Sequence, residues 1–260
     1  GLGVGHGSGS ASARDAEDAL HELERRQAFL LDFNDEIRVI GDPFAIMERA
    51  IELLGRHLKV GRVGYGEIDA AHEHVAVERD WTDPPMPSVA GRYRLNDFGP
   101  SVIRELKHGL TVAVGDISTD PRTARPASIA AYSAISTQAM LTVPLVKGGR
   151  FSAMLFLHHA EPRPWPGGDV TLVEDVAERT WAAVERSRAE AALRKSEERL
   201  RLSQEAGGIG LWDWDPGSDE ILWSSKQYDI LGAPRGMRMP ETVSPPSAVC
   251  SSAPTHAKAA

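Results

Sequence analysis

The chain has 260 residues, of which 42% are hydrophobic and 25% charged, a globular balance with room for one ordinary domain, helices and a smaller second piece. Thirty-seven acidic against 29 basic residues give a formal net charge of −8, which argues against nucleic acid as a partner, since such proteins present a basic face. Cys250 is the single cysteine, so an internal disulfide and a cysteine-based zinc site are both ruled out. No apolar run approaches the roughly 18–20 residues that span a bilayer, no signal-peptide core follows the N-terminus, and the cytoplasm is the expected compartment. With no initiator methionine, the expectation is an excised or processed chain.

Residues 1–14 are rich in Gly, Ser and Ala and read as a flexible lead-in; Gly1, Gly3, Gly5 and Gly7 lack the strand and the Lys-Ser/Thr that a phosphate loop requires. From Asp15 the pattern is helical. Leu20, Leu23, Leu30 and Ile37 fall at heptad-like spacing with Gln27 and Asn34 between them, a pattern that fits a dimer seam whose buried amides fix register. It fits equally a helix packed on its own domain, and two heptads do not decide between them. Asp42-Pro43 is an N-cap followed by a first-turn proline, and Phe44, Met47, Ile51 and Leu54 form the apolar face expected of the next helix.

A strand-rich stretch follows, with VGRVGYGEID, HVAVERDW and VAGRYRL as the candidates. A helix is expected between Asp97 and His108, then a strand in TVAVGDI, a Pro-rich loop and the short helical ASIAAYSAI. QAMLTVPLV and FSAMLFLHH are joined by Lys147-Gly148-Gly149-Arg150, which predicts an antiparallel hairpin. A helix free of Gly and Pro is expected from Asp169 to Glu205, roughly 55 Å at 1.5 Å per residue. Val173, Val176, Trp181 and Val184 lie in its first half, and Asp175/Arg179, Glu190/Arg194 and Glu197/Arg201 are acid-before-base pairs four apart. Its second half is polar enough to call for a partner helix. IGLWDWD, a turn at Pro216-Gly217 and EILWSS read as a further hairpin, with Trp212 and Trp214 on one strand face, and residues 233–260 read as disordered.

This order of elements resembles the GAF domain family. The stretch GDISTDPRTARP…YSAISTQAMLTVPLVKGGRFSAMLFLHHAEPRPWPGGDVTLVEDVAERTWAAVERSRAEAALRKSEERLRLSQEAGGIGLWDWD is similar to bacterial sensor histidine kinases in which a GAF domain is followed by a helical linker and a PAS domain. The resemblance implies an α+β fold (an α/β sandwich) with an antiparallel sheet, helices on one side and a small-molecule cavity on the other. It implies a sensor domain over residues 15–186, a helical linker over 187–205 and the start of a PAS-like domain over 206–232. The PAS-like part stops after its opening hairpin and SKQYDILG, and no phosphoacceptor or ATP-binding kinase segment is recognisable. The expected role is a sensory relay fragment, a homodimer through the N-terminal and linker helices with a small-molecule ligand and no membrane partner. A GAF scaffold that only dimerises is the alternative.

Trp81, Tyr93, Phe98, Asp116 and Tyr132 fall on or near the elements that enclose the cavity in the family and are the candidate ligand-binding residues, although each also suits core packing or, for Asp116, loop capping. The cofactor is left unknown, with one exclusion: no cysteine lies between residues 15 and 232, and Ser118 replaces the proline of the Asp-Ile-Pro segment of bilin-binding relatives, so covalent bilin attachment through a GAF cysteine is not expected. The same absence removes thiolate reduction of methionine sulfoxide. His72 and His74 sit at an expected hairpin turn without a third ligand, and His158-His159 at a strand end face opposite sides, so no metal site is expected. No nucleophile, base and acid set is visible, and no catalytic role is expected.

Overall fold

The structure, a computed structural model, describes residues 8–215 and 220–234. Two compact units divide the chain, residues 1–190 and 191–260.

The first unit begins with helix α1 (Ser8–Arg38). It starts inside the segment expected to be a flexible lead-in: the glycines thin out after Gly9 and the following Ala-Ser-Ala run is compatible with helix. Leu30, Phe33 and Ile37 are buried in the domain core, whereas Leu20 and Leu23 are exposed and Gln27 is exposed with them. The heptad pattern therefore divides: its second half packs on the chain's own domain. Helix α2 (Pro43–Leu58) is capped by Asp42, whose carboxylate accepts from the Ala45 amide at 2.8 Å. Its buried stripe is Ile46, Ala50, Ile51 and Leu54. The expected face is thus rotated, with Phe44 left 53% exposed.

The strands are β1 (Arg62–Ile68), β2 (His74–Val77), β3 (Asp80–Thr82), β4 (Gly91–Arg94), β5 (Val112–Val114), β6 (Ala139–Lys147) and β7 (Arg150–His159). They form one antiparallel sheet in the order β4-β2-β1-β7-β6-β5, with β3 also paired to β1. The expected single strand HVAVERDW is two, because β3 leaves β2 and pairs with the start of β1. The hairpin between β6 and β7 turns at Gly148 and Gly149, whose φ values of 56° and 75° suit glycine. A 3-10 turn (Leu95–Phe98) and helix α3 (Pro100–Lys107) replace the continuous helix expected there, broken at Gly99 with φ 107° ahead of Pro100. Helix α4 (Pro126–Ala134) precedes β6, and α5 (Gly167–Ala206) follows β7.

The sheet has a core on each face. Buried side chains of α1, α2 and α5 meet Val63, Tyr65, Leu141, Val143, Leu155 and Leu157 on one side. On the other, residues of α3, α4 and the connecting loops meet Val75, Met140 and Phe156. Ion pairs ring the helix side, including Arg26 of α1 with Asp175 of α5 and Lys147 with Glu178 at 2.9 Å.

The second unit holds the end of α5, a hairpin of β8 (Trp212–Asp215) and β9 (Glu220–Trp223), and α6 (Ser225–Leu231), which Ser224 caps. Trp212 is 54% exposed. The expected turn at Pro216-Gly217, the side chain of Trp214 and most of the tail lie outside the described residues.

Candidate functional site

A cavity of about 60 Å³ lies on the sheet face opposite the long helices. Strand register explains its floor. Thr142 of β6 stands opposite Phe156 of β7, and Met140 opposite His158, so all four side chains share one face; each lines the cavity. Gly64 of β1 stands opposite Phe156, and a Cβ there would come within 2.5 Å of the Phe156 ring, so glycine leaves that ring its place.

An aromatic chain walls the cavity. Tyr93 and Phe98 meet edge to face at 5.9 Å, and Phe98 and Tyr132 do the same at 5.2 Å. The Tyr132 hydroxyl donates to Met140 Sδ at 3.0 Å, and burial pushes that phenol upward from its usual range.

Beside the floor, opposite His158 in the pairing of β1 with β7, stands Arg62, which is fully buried. It donates to the Pro87 carbonyl at 2.6 Å and, through Nη2, to the Ile135 carbonyl and Thr137 Oγ1, each at 2.8 Å. His158 Nδ1 lies 3.3 Å from its Nε and 2.9 Å from its Nη2. Asp80 is the counter-charge at 4.0 Å, and its carboxylate also accepts from the Val89 amide at 2.7 Å and from Ser88. Burial lowers the guanidinium to about 10, against the pull of Asp80. Burial, then the Arg62 charge, keeps His158 well below the ordinary imidazole range. Sequence reasoning missed this network. Its one local signal was a charged residue inside the apolar strand VGRVGYG.

Of the five residues proposed from sequence, Tyr93, Phe98 and Tyr132 line the cavity. Trp81 stands opposite Val63 in the β1/β3 pairing, which puts it on the helix side of the sheet, packed against Gly55 of α2. Asp116 caps its own loop, accepting from the Ser118 amide at 2.8 Å and the Ser118 hydroxyl at 2.6 Å, bonds that lower its carboxyl. Neither Trp81 nor Asp116 is brought to the cavity. His74 bonds Asp69 at 3.1 Å beside the turn that holds His72. Among the described residues no group of three His, Cys, Asp or Glu is placed to hold a metal, and no helix is long and apolar enough to cross a membrane.

The family profile described as GAF domain matches residues 42–184. The chain belongs to the GAF domain family. No curated protein matches the sequence. Solved structures similar to it include a far-red-absorbing protein in its dark state with bound biliverdin IXa, at 14% identity and TM-score 0.54 over 62% of this chain and 99% of that one. The phycocyanobilin-bound GAF domain of a cyanobacterial phytochrome matches at 16% identity and TM-score 0.53, covering 64% and 96%. The free methionine-R-sulfoxide reductase of Neisseria meningitidis, solved with its substrate, matches at 18% and 0.52, covering 64% and 91%. At these identities the likeness concerns the GAF fold. The bilin-holding neighbours nonetheless correct the cofactor expectation drawn from sequence. Those two proteins hold biliverdin and phycocyanobilin, and the missing cysteine concerns one covalent bond only, so a bilin is no longer set aside as a cofactor.

Proposed function

We propose that the chain is a sensory relay fragment of a bacterial two-component sensor histidine kinase, in which the GAF cavity takes a small molecule and the long helices pass the change on within a homodimer. The observation that carries this reading is the placement of the cavity on one face of the sheet and of α1, α2 and α5 on the other. A ligand that distinguishes two packings of the sheet biases the helices behind it by its difference in affinity for the two. Bilins join cyclic nucleotides and haem as candidate ligands, because GAF neighbours hold biliverdin and phycocyanobilin.

Leu193 and Leu200, both 60% exposed, stand seven residues apart on α5, the spacing of a coiled-coil seam. Exposed Leu20 and Leu23 on α1 offer a second stripe. On this reading the segment after Ala206 opens a PAS-like domain, the protein is cytoplasmic, and the chain transmits rather than catalyses. Sedimentation at tens of micromolar is expected to give a dimer that Leu193→Glu with Leu200→Glu converts to monomer; a monomeric parent chain sinks the relay. The small cavity volume, about 60 Å³, favours a second reading, a GAF scaffold that dimerises without a ligand. A thermal-shift screen with biliverdin, haem and cyclic nucleotides separates the two: a dimer that no compound stabilises is the scaffold.

A further inference from the structure

The two ends of the sheet are finished differently. At β5 the outer edge is closed by the chain's own donors. The Ala113 carbonyl accepts from Arg122 Nη2 at 2.7 Å, the Val114 carbonyl from Trp165 Nε1 at 3.1 Å and the Gly115 carbonyl from the Arg163 amide at 3.0 Å. The opposite end is β4, where Tyr93 is half-buried and Gly91, Arg92 and Arg94 are exposed.

Register fixes which backbone groups of β4 face outward. The Leu95 amide donates to the Glu73 carbonyl at 2.9 Å, and in the same register Tyr93 stands opposite Val75 and Gly91 opposite Val77. Hydrogen-bonded pairs alternate along an antiparallel ladder, so the backbones of Gly91, Tyr93 and Leu95 face β2 and those of Arg92 and Arg94 face away. The Arg94 carbonyl opens the 3-10 turn Leu95–Phe98. That leaves the Arg92 N–H and C=O and the Arg94 N–H without a partner among the described residues. The two arginine side chains, two positions apart, share one face of the strand. Arg92 bonds Asp69 at 3.0 Å, and Arg94 makes no ion pair among the described residues.

An open edge is a template for a further strand, and charge selects what takes it. A second copy arriving by its own β4 would set arginines of both chains against each other, which destabilises cross-strand pairs. An extended segment with carboxylates two residues apart brings both beside Arg92 and Arg94 while its backbone continues the ladder.

We propose that β4 is a docking edge for an extended acidic segment of a partner protein, paired with the outward backbone groups of Arg92 and Arg94 and selected by their guanidinium groups.

The test follows a fluorescein-labelled, end-blocked peptide, Thr-Glu-Val-Glu-Thr, by anisotropy on the full chain. It is expected to bind about fivefold more tightly than its Gln-for-Glu counterpart, because exposed ion pairs contribute modestly, and more tightly still than the Lys-for-Glu one. Methylating the two glutamate amide nitrogens, which removes the donors that meet β4, is expected to weaken binding about tenfold. Hydrogen exchange at the Arg92 and Arg94 amides is expected to slow when the peptide is bound. Arg92→Glu with Arg94→Glu is expected to reverse the preference toward the Lys peptide. Should that variant fail to fold, the methylated peptide and the exchange measurement still decide. A Gln or Lys peptide that binds the parent chain as tightly overturns the acidic class. A methylated peptide that binds equally well, or protection of amides elsewhere, overturns the edge. Slow exchange at Arg92 and Arg94 in the chain alone, lost on dilution, makes a second copy the occupant and overturns the partner. No binding of any peptide at millimolar concentration overturns the whole proposal.

Discussion

The two faces of this GAF sheet are closed by different physics. On the helix face, cross-strand pairs such as Leu141 with Leu157 and Val143 with Leu155 are buried under three long helices, and side chains of all three enter the same apolar core. On the cavity face the corresponding pairs are Met140 with His158 and Thr142 with Phe156, covered by α3, α4 and loops. There the closure depends on one guanidinium that ties β1, β7, the segment after α4 and the Pro87 loop together. A dry interface resists change in volume, whereas a polar knot resists loss of a partner. A face held by a few directed bonds beside a void is the one that a small molecule can rearrange.

The largest way to break this contrast is Arg62→Met. Removing the guanidinium takes a donor from His158 and from the Pro87 and Ile135 carbonyls and leaves the buried Asp80 carboxylate without its counter-charge. Stranding one side of a buried charged network costs about 3–5 kcal/mol, and the loss is expected in urea unfolding curves. A change below about 1 kcal/mol would mean that the cavity face is held by its apolar contacts after all.

A smaller comparison adds carbon to each face in turn. Ala177 is fully buried among the helices, and Ala177→Val is expected to cost about 1–3 kcal/mol through overpacking. Val102 lines the cavity, and Val102→Ile is expected to stay within about 0.5 kcal/mol because its new methyl has a void to enter. Equal costs in thermal unfolding would show the two faces to be packed alike.

What was legible in the sequence follows the range of the interactions concerned. The β6–β7 hairpin was readable because Gly148-Gly149 serves a local backbone need, and α5 because a long run without Gly or Pro has few alternatives. Tyr93 was placed near the cavity by its strand, and its register opposite Val75 puts it on that face. Trp81 could not be placed the same way, since that required knowing that β3 leaves β2 to stand against Val63. Arg62 was least legible of all. Its acceptors come from residues 87, 135, 137 and 158, far apart in the chain, and no local pattern announces that they converge.

The smallest expected effect is a dependence on pH that separates the faces by titration. Burial and the Arg62 charge depress His158 in the folded state, so between the ordinary value of 6.5 and its folded value the unfolded chain binds one proton more. Stability therefore rises with pH in that window and falls as pH drops below 6.5, with a slope of at most about 1.4 kcal/mol per pH unit from this one group. Protonation at Nδ1 would also put a second N–H against the Arg62 donors, so the network opens in the same step. On the helix face His57 is depressed as well, chiefly by desolvation, but it is exposed and stacked on Phe29, and solvent screens its share. Urea midpoints at pH 7.5, 6.5 and 5.5 should therefore decline, and His158→Gln, which keeps an acceptor for Arg62 but cannot titrate, should flatten most of the decline. If His57→Gln flattens it instead, the pH-sensitive contact belongs to the helix layer, and the cavity floor is the more inert of the two faces.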